Sequence, residues 1–458
     1  MYSFLLFLII LRTEANNSNI TIQIVASTKD TRFEGGLSHP RLDSYGRIFF
    51  LAYDSKNQSL FKKSDSKIER IVTVGAGPLV GYDGITDYVL DDKTAKISLS
   101  VQDLSGDTSA IFSSSNSSGS GVTFQMNVKS GMHIPSDSQI MNSTFGGIGS
   151  PRTGSIQVVF GGVNCTNQEC VTRSKLSGLF VTRPVSSSED PTILMTIVSS
   201  NMKNPSFPSS GSRYFDMFGG SSVSKSGTFC SFFGTSSASN MILGYLELTP
   251  YDRRVDPLLV AVEDNSNDVA SPGIFLVRLD DASKNIEVIA DSSLPWPSSS
   301  SQHRMIAFSD PILSQDDNDE DSEIVFVAKS NMGVYGIFSY SISTQNLRLV
   351  VDTNNTQFSG FPFLPSIMSG RLMFQAVTQT LETALFVASR DNDIHQVLSC
   401  SDIRVSNDTT PFVYMLFTEG GFDGCKSAVL YASSEEYDYI LQLSSLSSPS
   451  SSLLSKCL

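Results

Sequence analysis

The chain has 458 residues, 46 acidic against 32 basic, and a formal net charge of −14. With no Lys/Arg-rich run in it, that balance excludes nucleic acid as a partner, because such binding depends on neutralising phosphates with basic side chains. Six cysteines without a C-x-x-C pair point to structural rather than redox use.

In chain order the first element is an apolar stretch from Phe4 to Leu11, followed by Arg12 and the small-residue exit Thr13-Glu14-Ala15. This is the shape of a secretory signal peptide over 1–15, its apolar run about half the roughly 20 residues that a membrane-spanning helix needs. The expected location is therefore secreted and extracellular, with no integral membrane segment after cleavage. Asn16, Asn19, Asn57, Asn116, Asn142, Asn164, Asn354 and Asn407 each open an N-x-Ser/Thr triplet and are candidate glycosylation acceptors. In that compartment cysteines pair. Cys165 and Cys170 bracket a short loop, and Cys400 and Cys425 are the next pair by proximity, leaving Cys230 and Cys457.

Period-2 apolar patterns bounded by turn residues then run to the end of the chain, with no helical period over a dozen residues. The strands recur in a fixed order: one that ends in aromatic and small side chains, one with Gly or Ala before Ile/Leu and an aromatic, and one that is aliphatic. The first unit reads GRIFFLA from Gly46, Leu60-Phe61 and IERIVTV from Ile68; a diverged second reads KISLSV from Lys96, AIF from Ala110 and VTFQMNV from Val122. The third reads SIQVVFGG from Ser155, GLFVT from Gly178 and ILMTIV from Ile193; the fourth GTFCSFFG from Gly227, GIFLV from Gly273 and IEVIAD from Ile286. The fifth reads EIVFVA from Glu323, YGIFSY from Tyr335 and LRLVVD from Leu347; the sixth GRLMFQA from Gly370, ALFVA from Ala384 and IHQVL from Ile394. The seventh reads VYMLFT from Val413, AVLYA from Ala428 and YILQL from Tyr439.

The tightest repeat spacing is about 45 to 50 residues, the size of one four-stranded propeller blade. The expected fold is all-β, a β-propeller of seven blades with six to eight open, an eighth being sought in 240–265. One repeat domain spans 20–443 and a Ser-rich tail follows at 444–458. ITIQIVAS, from Ile20, looks like a third strand without its first two, and such a strand could complete the last blade and lock the ring.

Motifs of chemistry are sparse. The glycines at 75, 77 and 81 lack the following helix that a dinucleotide loop needs, and GSPRTGS from Gly149 lacks the lysine of a phosphate loop. The acidic run around Asp317, Asp319 and Asp321 imitates the start of a calcium loop. Ser322 replaces its glycine and Ala328 its closing glutamate, so a solvated loop is the plainer reading and calcium the alternative. No other cofactor is implied. His39, His133, His303 and His395 stand singly and read as surface or turn residues. Trp296 reads as a packing anchor more than a sugar platform. Ser-rich stretches at 113–121 and 296–301 read as loops.

The copies DSYGRIFF from Asp43, IMSGRLMF from Ile367 and DEDSEIVF from Asp319 resemble the NxxGxxAF-type tandem-repeat proteins of bacteria, with Asp or Ile for the Asn and Phe, Met or Val for the Ala. That resemblance implies a propeller-like repeat and no reaction. The functional expectation is a binding or scaffolding module for an extracellular glycan or protein. The alternative is a carbohydrate-active enzyme, a glycoside hydrolase or lyase with carboxylates near the propeller channel, so enzyme status stays open with the balance against it.

Overall fold

A computed structural model gives the architecture. It describes Leu11–Arg12 and residues 20–444, apart from 55, 66, 92–95, 107, 115–121, 134–143, 149–151, 154–157, 166–176, 184–192, 201, 207–213, 216, 237–259, 262–271, 282–284, 298–302, 317, 355–356, 404–411, 419, 425–426 and 435. The rest of the expected signal peptide and the tail beyond Ser444 lie outside the described residues.

The chain is an all-β protein of propeller type. Described residues form seven antiparallel sheets, and helix is confined to three-residue turns such as Gly77–Leu79. Tertiary contacts divide the chain into two units. One is Met1–Thr73 with Thr356–Ser359 and Pro365–Leu458; the other is Val74–Asn355 with Gly360–Leu364. A sheet count is not a blade count, because a blade is defined by its place around an axis.

Each unit read from the sequence is found, and the first six have a further strand or strand pair ahead of them. The first sheet runs Gly35–Leu42, Ile48–Asp54, Asn57–Ser64, Lys67–Thr73, in spatial as in chain order. The fifth sheet places Met305–Phe308 and Ile312–Leu313 ahead of Glu323–Ser330, Tyr335–Ser341 and Asn346–Asp352. Val260–Ala261, the described part of 240–265, pairs with Phe308 and Ala307 and so extends the fifth sheet instead of opening an eighth.

The added strand is an edge strand, and it is broken where proline stands: Pro40 falls inside Gly35–Leu42, and Pro311 separates Met305–Phe308 from Ile312–Leu313. Proline donates no ladder hydrogen bond, so an edge is where a sheet tolerates it. The turn into the second strand is fixed by side-chain caps. Asp43 Oδ1 accepts from the backbone N–H of Tyr45 and Arg47 at 3.0 and 2.8 Å, and Gly46 takes the left-handed conformation at φ +74°. Ser224 and Gly227 repeat the device before the fourth sheet's second strand.

Side chains of the second and third strands then repeat a packing unit. Phe50–Phe61, Phe232–Phe275, Phe326–Phe338 and Phe374–Phe386 face each other across the ladder and stack at 5.4–5.6 Å with ring planes 13–24° apart. A further ring from the segment leading into the sheet, or from its first strand, stands edge-on to the third-strand aromatic in six sheets. Phe33, Tyr82, Phe145, Phe215, Trp296 and Phe358 do so at 4.9–5.8 Å and 82–89°. Such pairs add about 0.5–1.5 kcal/mol beyond area burial. The small residue two places before the aromatic makes room for that ring: a Cβ on Gly336 would lie 2.9 Å from Trp296 and 3.1 Å from Phe338.

Every outer strand also carries a bulge at the equivalent position. The ladder shifts between the third-strand pairs Leu60/Phe61, Leu179/Phe180, Ile274/Phe275, Ile337/Phe338 and Leu385/Phe386, leaving Ile71, Ile197, Ile289, Val350 and Val397 as the extra residues. In the second sheet Asn127 is the extra residue. In the seventh it is Val25, on Thr21–Ser27, which pairs antiparallel with Asp438–Ser444.

That pairing corrects the seventh unit by one strand. Phe412–Leu416 is the edge strand, Ser427–Ser434 the second, Asp438–Ser444 the third, and the N-terminal Thr21–Ser27 the outer one. The expectation that the first strand completes the last sheet holds. Leu11–Arg12 pair in turn with Ile22 and Thr21.

Both faces of the sheets are buried, because apolar clusters form between sheets consecutive along the chain. In one unit they join the sixth to the seventh sheet and the seventh to the first. In the other they join the second to the third, the third to the fourth and the fourth to the fifth. Phe232 and Phe233, adjacent on one strand, enter different clusters, as period-2 geometry requires. Edges are tied across neighbouring sheets. Buried Gln375 donates to the Met415 carbonyl at 2.6 Å and accepts from the Phe417 N–H at 3.1 Å, while Asp310 Oδ1 accepts from the Gly220 N–H at 2.6 Å. Ladder groups that would face solvent are satisfied in this way.

Candidate functional site

Among the described residues burial strongly raises Tyr340 on the fifth sheet, while three further displaced groups, Tyr414, Tyr431 and Cys400, gather at the seventh sheet, and such clustering marks a functional-site candidate. Tyr414, on the edge strand, pairs in register with Ser433, which pairs with Asp438. Tyr431 lies two residues before Ser433 on the same face. Its phenol donates to Asp438 Oδ1 at 2.7 Å, and the Ser433 hydroxyl donates to the same oxygen at 2.9 Å. The Tyr414 and Tyr431 rings meet edge-to-face at 6.2 Å. The incoming N-terminal strand fixes this corner: the Asp438 N–H donates to Thr28 Oγ1 at 2.9 Å, and Lys29 Nζ lies 4.6 Å above the Tyr437 ring.

Burial pushes the Tyr414 phenol up to about 12, with the neighbouring Cys400 adding to it. Burial, then the bond to Asp438, raises Tyr431 as well. Cys400 is a buried thiol raised to about 12 by burial and by the charge of Glu382. Glu382 is held below its ordinary value by hydroxyls, that of Ser401 first. Phenols held this way are neutral donors and acceptors rather than proton-abstracting bases. Both phenols are half-buried, each with a polar atom to offer a ligand.

The residues singled out in the sequence are dispersed. Asp319 opens a 3-10 turn and accepts from Ser224 Oγ at 2.9 Å and from Ser226 Oγ, pinning the fifth sheet's acidic loop to the fourth sheet's hairpin. Asp321 accepts from Asn318 Nδ2 at 2.9 Å. Asp317 lies outside the described residues. Asn57 and Asn354 are exposed. Asn164 and Cys165 lie on the strand Val158–Cys165, where only their backbone is described. Asn16, Asn19, Asn116, Asn142, Asn407, Cys170, Cys425 and Cys457 lie outside the described residues. Cys400 carries no bridge in this structure.

Two readings change. His303 is buried, not a surface residue, and stacks on Trp296 at 5.4 Å. Ser113 and Ser114 belong to the buried strand Ser109–Ser114, where Ser113 bonds Ser98 and Ser114 accepts from the Ile97 N–H. His395 points to solvent beside Asp393 at 2.9 Å, as expected, and Trp296 is a core residue. Sequence reasoning missed Tyr414 and Tyr431. The signal present was a tyrosine on each of two adjacent strands of the last unit, which ordinary strand composition hides.

No family model matches the sequence, and no curated protein matches it. Among solved structures, the chain is similar to an oligogalacturonate lyase from Vibrio parahaemolyticus at 9% identity, with 94% of each chain covered and a TM-score of 0.49. It is similar to the polysaccharide lyase Uly1 at 10% identity over 87% of this chain and 88% of the lyase, with a TM-score of 0.45. It is similar to prolyl oligopeptidase B from Galerina marginata at 9% identity over 88% of this chain, with a TM-score of 0.45, and spans about half of that protein, 48%.

Proposed function

We propose that the chain is a secreted, glycosylated propeller locked by the N-terminal strand, and that it binds an extracellular glycan or protein without chemical turnover. The observation that carries this reading is the Tyr414–Tyr431–Asp438 corner. Neutral phenols and a carboxylate already engaged by two hydroxyls suit hydrogen bonding to a polar ligand, with ring faces for stacking. The carboxylates described above at the edges and turns, Asp43, Asp310 and Asp319, likewise hold the fold together.

Screening the purified protein on a glycan array and against extracellular proteins tests this. The expected result is a ligand whose affinity falls about tenfold in the double variant Tyr414→Phe, Tyr431→Phe, the worth of one or two hydrogen bonds. Silence on every surface, with self-association of the purified chain, would replace the proposal with a structural role. Release of new sugar ends that stops on Asp→Asn substitution would replace it with the enzyme reading.

A further inference from the structure

Asn57, Gln58 and Ser59 form an N-x-Ser triplet at the start of the strand Asn57–Ser64. Asn57 is exposed and pairs with Asp54, the last pair of its ladder with Ile48–Asp54. In an extended strand residues i and i+2 share a face, so the acceptor amide and the Ser59 hydroxyl point the same way. Their surroundings differ sharply. Ser59 is 0% exposed, sits in the ladder between Ala52 and Thr73, and its Oγ lies 2.9 Å from Thr73 Oγ1 on the outer strand.

N-glycosylation requires the transferase to engage both the asparagine amide and the hydroxyl two residues on. Reaching the Ser59 hydroxyl requires lifting Lys67–Thr73 away from Asn57–Ser64, which breaks the first sheet's ladder from Ser59↔Thr73 onward. We infer that Asn57 is a conformationally gated glycosylation site, open only until the first sheet has paired. This rests on the secretory reading above. The transfer is a substitution: Asn57 Nδ2 attacks C1 of the sugar on a lipid-diphosphate-linked oligosaccharide. The C1–N bond forms, the C1–O bond breaks with its electron pair on the diphosphate, and the amide proton passes to a basic group of the transferase. Once attached, the glycan sits at the end of that ladder, where Asn57 is exposed, and the finished sheet accommodates it.

The test uses unglycosylated full-length chain, purified oligosaccharyltransferase and its lipid-linked donor, with glycopeptide mass as the readout. It does not depend on where a cell sends the protein, so its failure and that of the secretory reading are distinguishable. Folded chain is compared with the full-length variant Phe50→Asp, which places a charge in the first sheet's core. The expected result is transfer to Asn57 at least tenfold greater in Phe50→Asp than in the folded chain, abolished in both by Ser59→Ala. Equal transfer to folded and unfolded chains, or none to Phe50→Asp, would overturn the inference.

Discussion

Burial of the Tyr414 phenol and the Cys400 thiol makes folding sensitive to alkali, and the sign follows from the direction of the shifts. Both groups hold their proton more tightly folded than unfolded: the thiol moves from 9.0 to about 12 and the phenol from 10.0 to about 12. Their contribution is complete below the unfolded values and is lost as pH rises toward about 12. Urea midpoints should therefore hold up to about pH 9 and fall above it, and Cys400→Ala should move the onset to about pH 10. A midpoint that is flat to pH 12 would contradict the burial of both groups. Trp296 offers a second check. Five other sheets place Phe or Tyr at its position, so Trp296→Phe should cost about 1–1.5 kcal/mol in chemical denaturation, as a shape-similar swap. Trp296→Ala should cost about 3–5 kcal/mol. The tryptophan's role was legible in the sequence because a lone aromatic before a strand has few alternatives. The burial of His303 was not, since stacking on Trp296 depends on a turn whose geometry no local pattern encodes.

Strands with both faces buried announce themselves as apolar runs, and for that reason the second and third strands of nearly every sheet were readable from residue types alone. Edge strands were not. Pro40 and Pro311 interrupt their alternation, and their stabilising partners lie in neighbouring sheets, as Asp310 does for Gly220. The seventh unit was read one strand out of step, because its fourth strand lies at the other end of the chain. Bulges were invisible too: the extra Ile or Val looks like any strand residue until its partner is known. Deleting Val350 should join Leu349 directly to Val351, so that Phe338↔Leu349 and Ile337↔Val351 become a regular ladder and Leu347 and Leu349 keep the face they pack on. The expected cost in chemical denaturation is therefore close to that of Val350→Ala, which removes about 1–2 kcal/mol of burial. A cost several-fold larger for the deletion would mean that the bulge itself sets the register there.

Closure by Thr21–Ser27 has the largest effect on the molecule. Ile20, Ile22, Val25 and Ala26 are buried by it, so deleting residues 20–27 should destabilise the chain by roughly 5 kcal/mol or more, at roughly 1.5–3 kcal/mol for each large side chain. Melting of the truncated chain should drop and recover when a synthetic peptide of residues 20–27 is added, since main-chain hydrogen bonds along Asp438–Ser444 supply the affinity. Unchanged melting after truncation would show that the seventh sheet stands with three strands.

Timing during synthesis follows from the same pairing. Ile22 leaves the ribosome about 420 residues ahead of Leu443, its ladder partner, which at roughly 5–20 residues per second is on the order of 20–80 seconds. For that interval the stretch TIQIVAS, uncharged and rich in β-branched residues, waits without the strand it will join, and such a segment is prone to pair with copies of itself. Crowded translation of this chain therefore favours whatever shields its first thirty residues until its last thirty arrive.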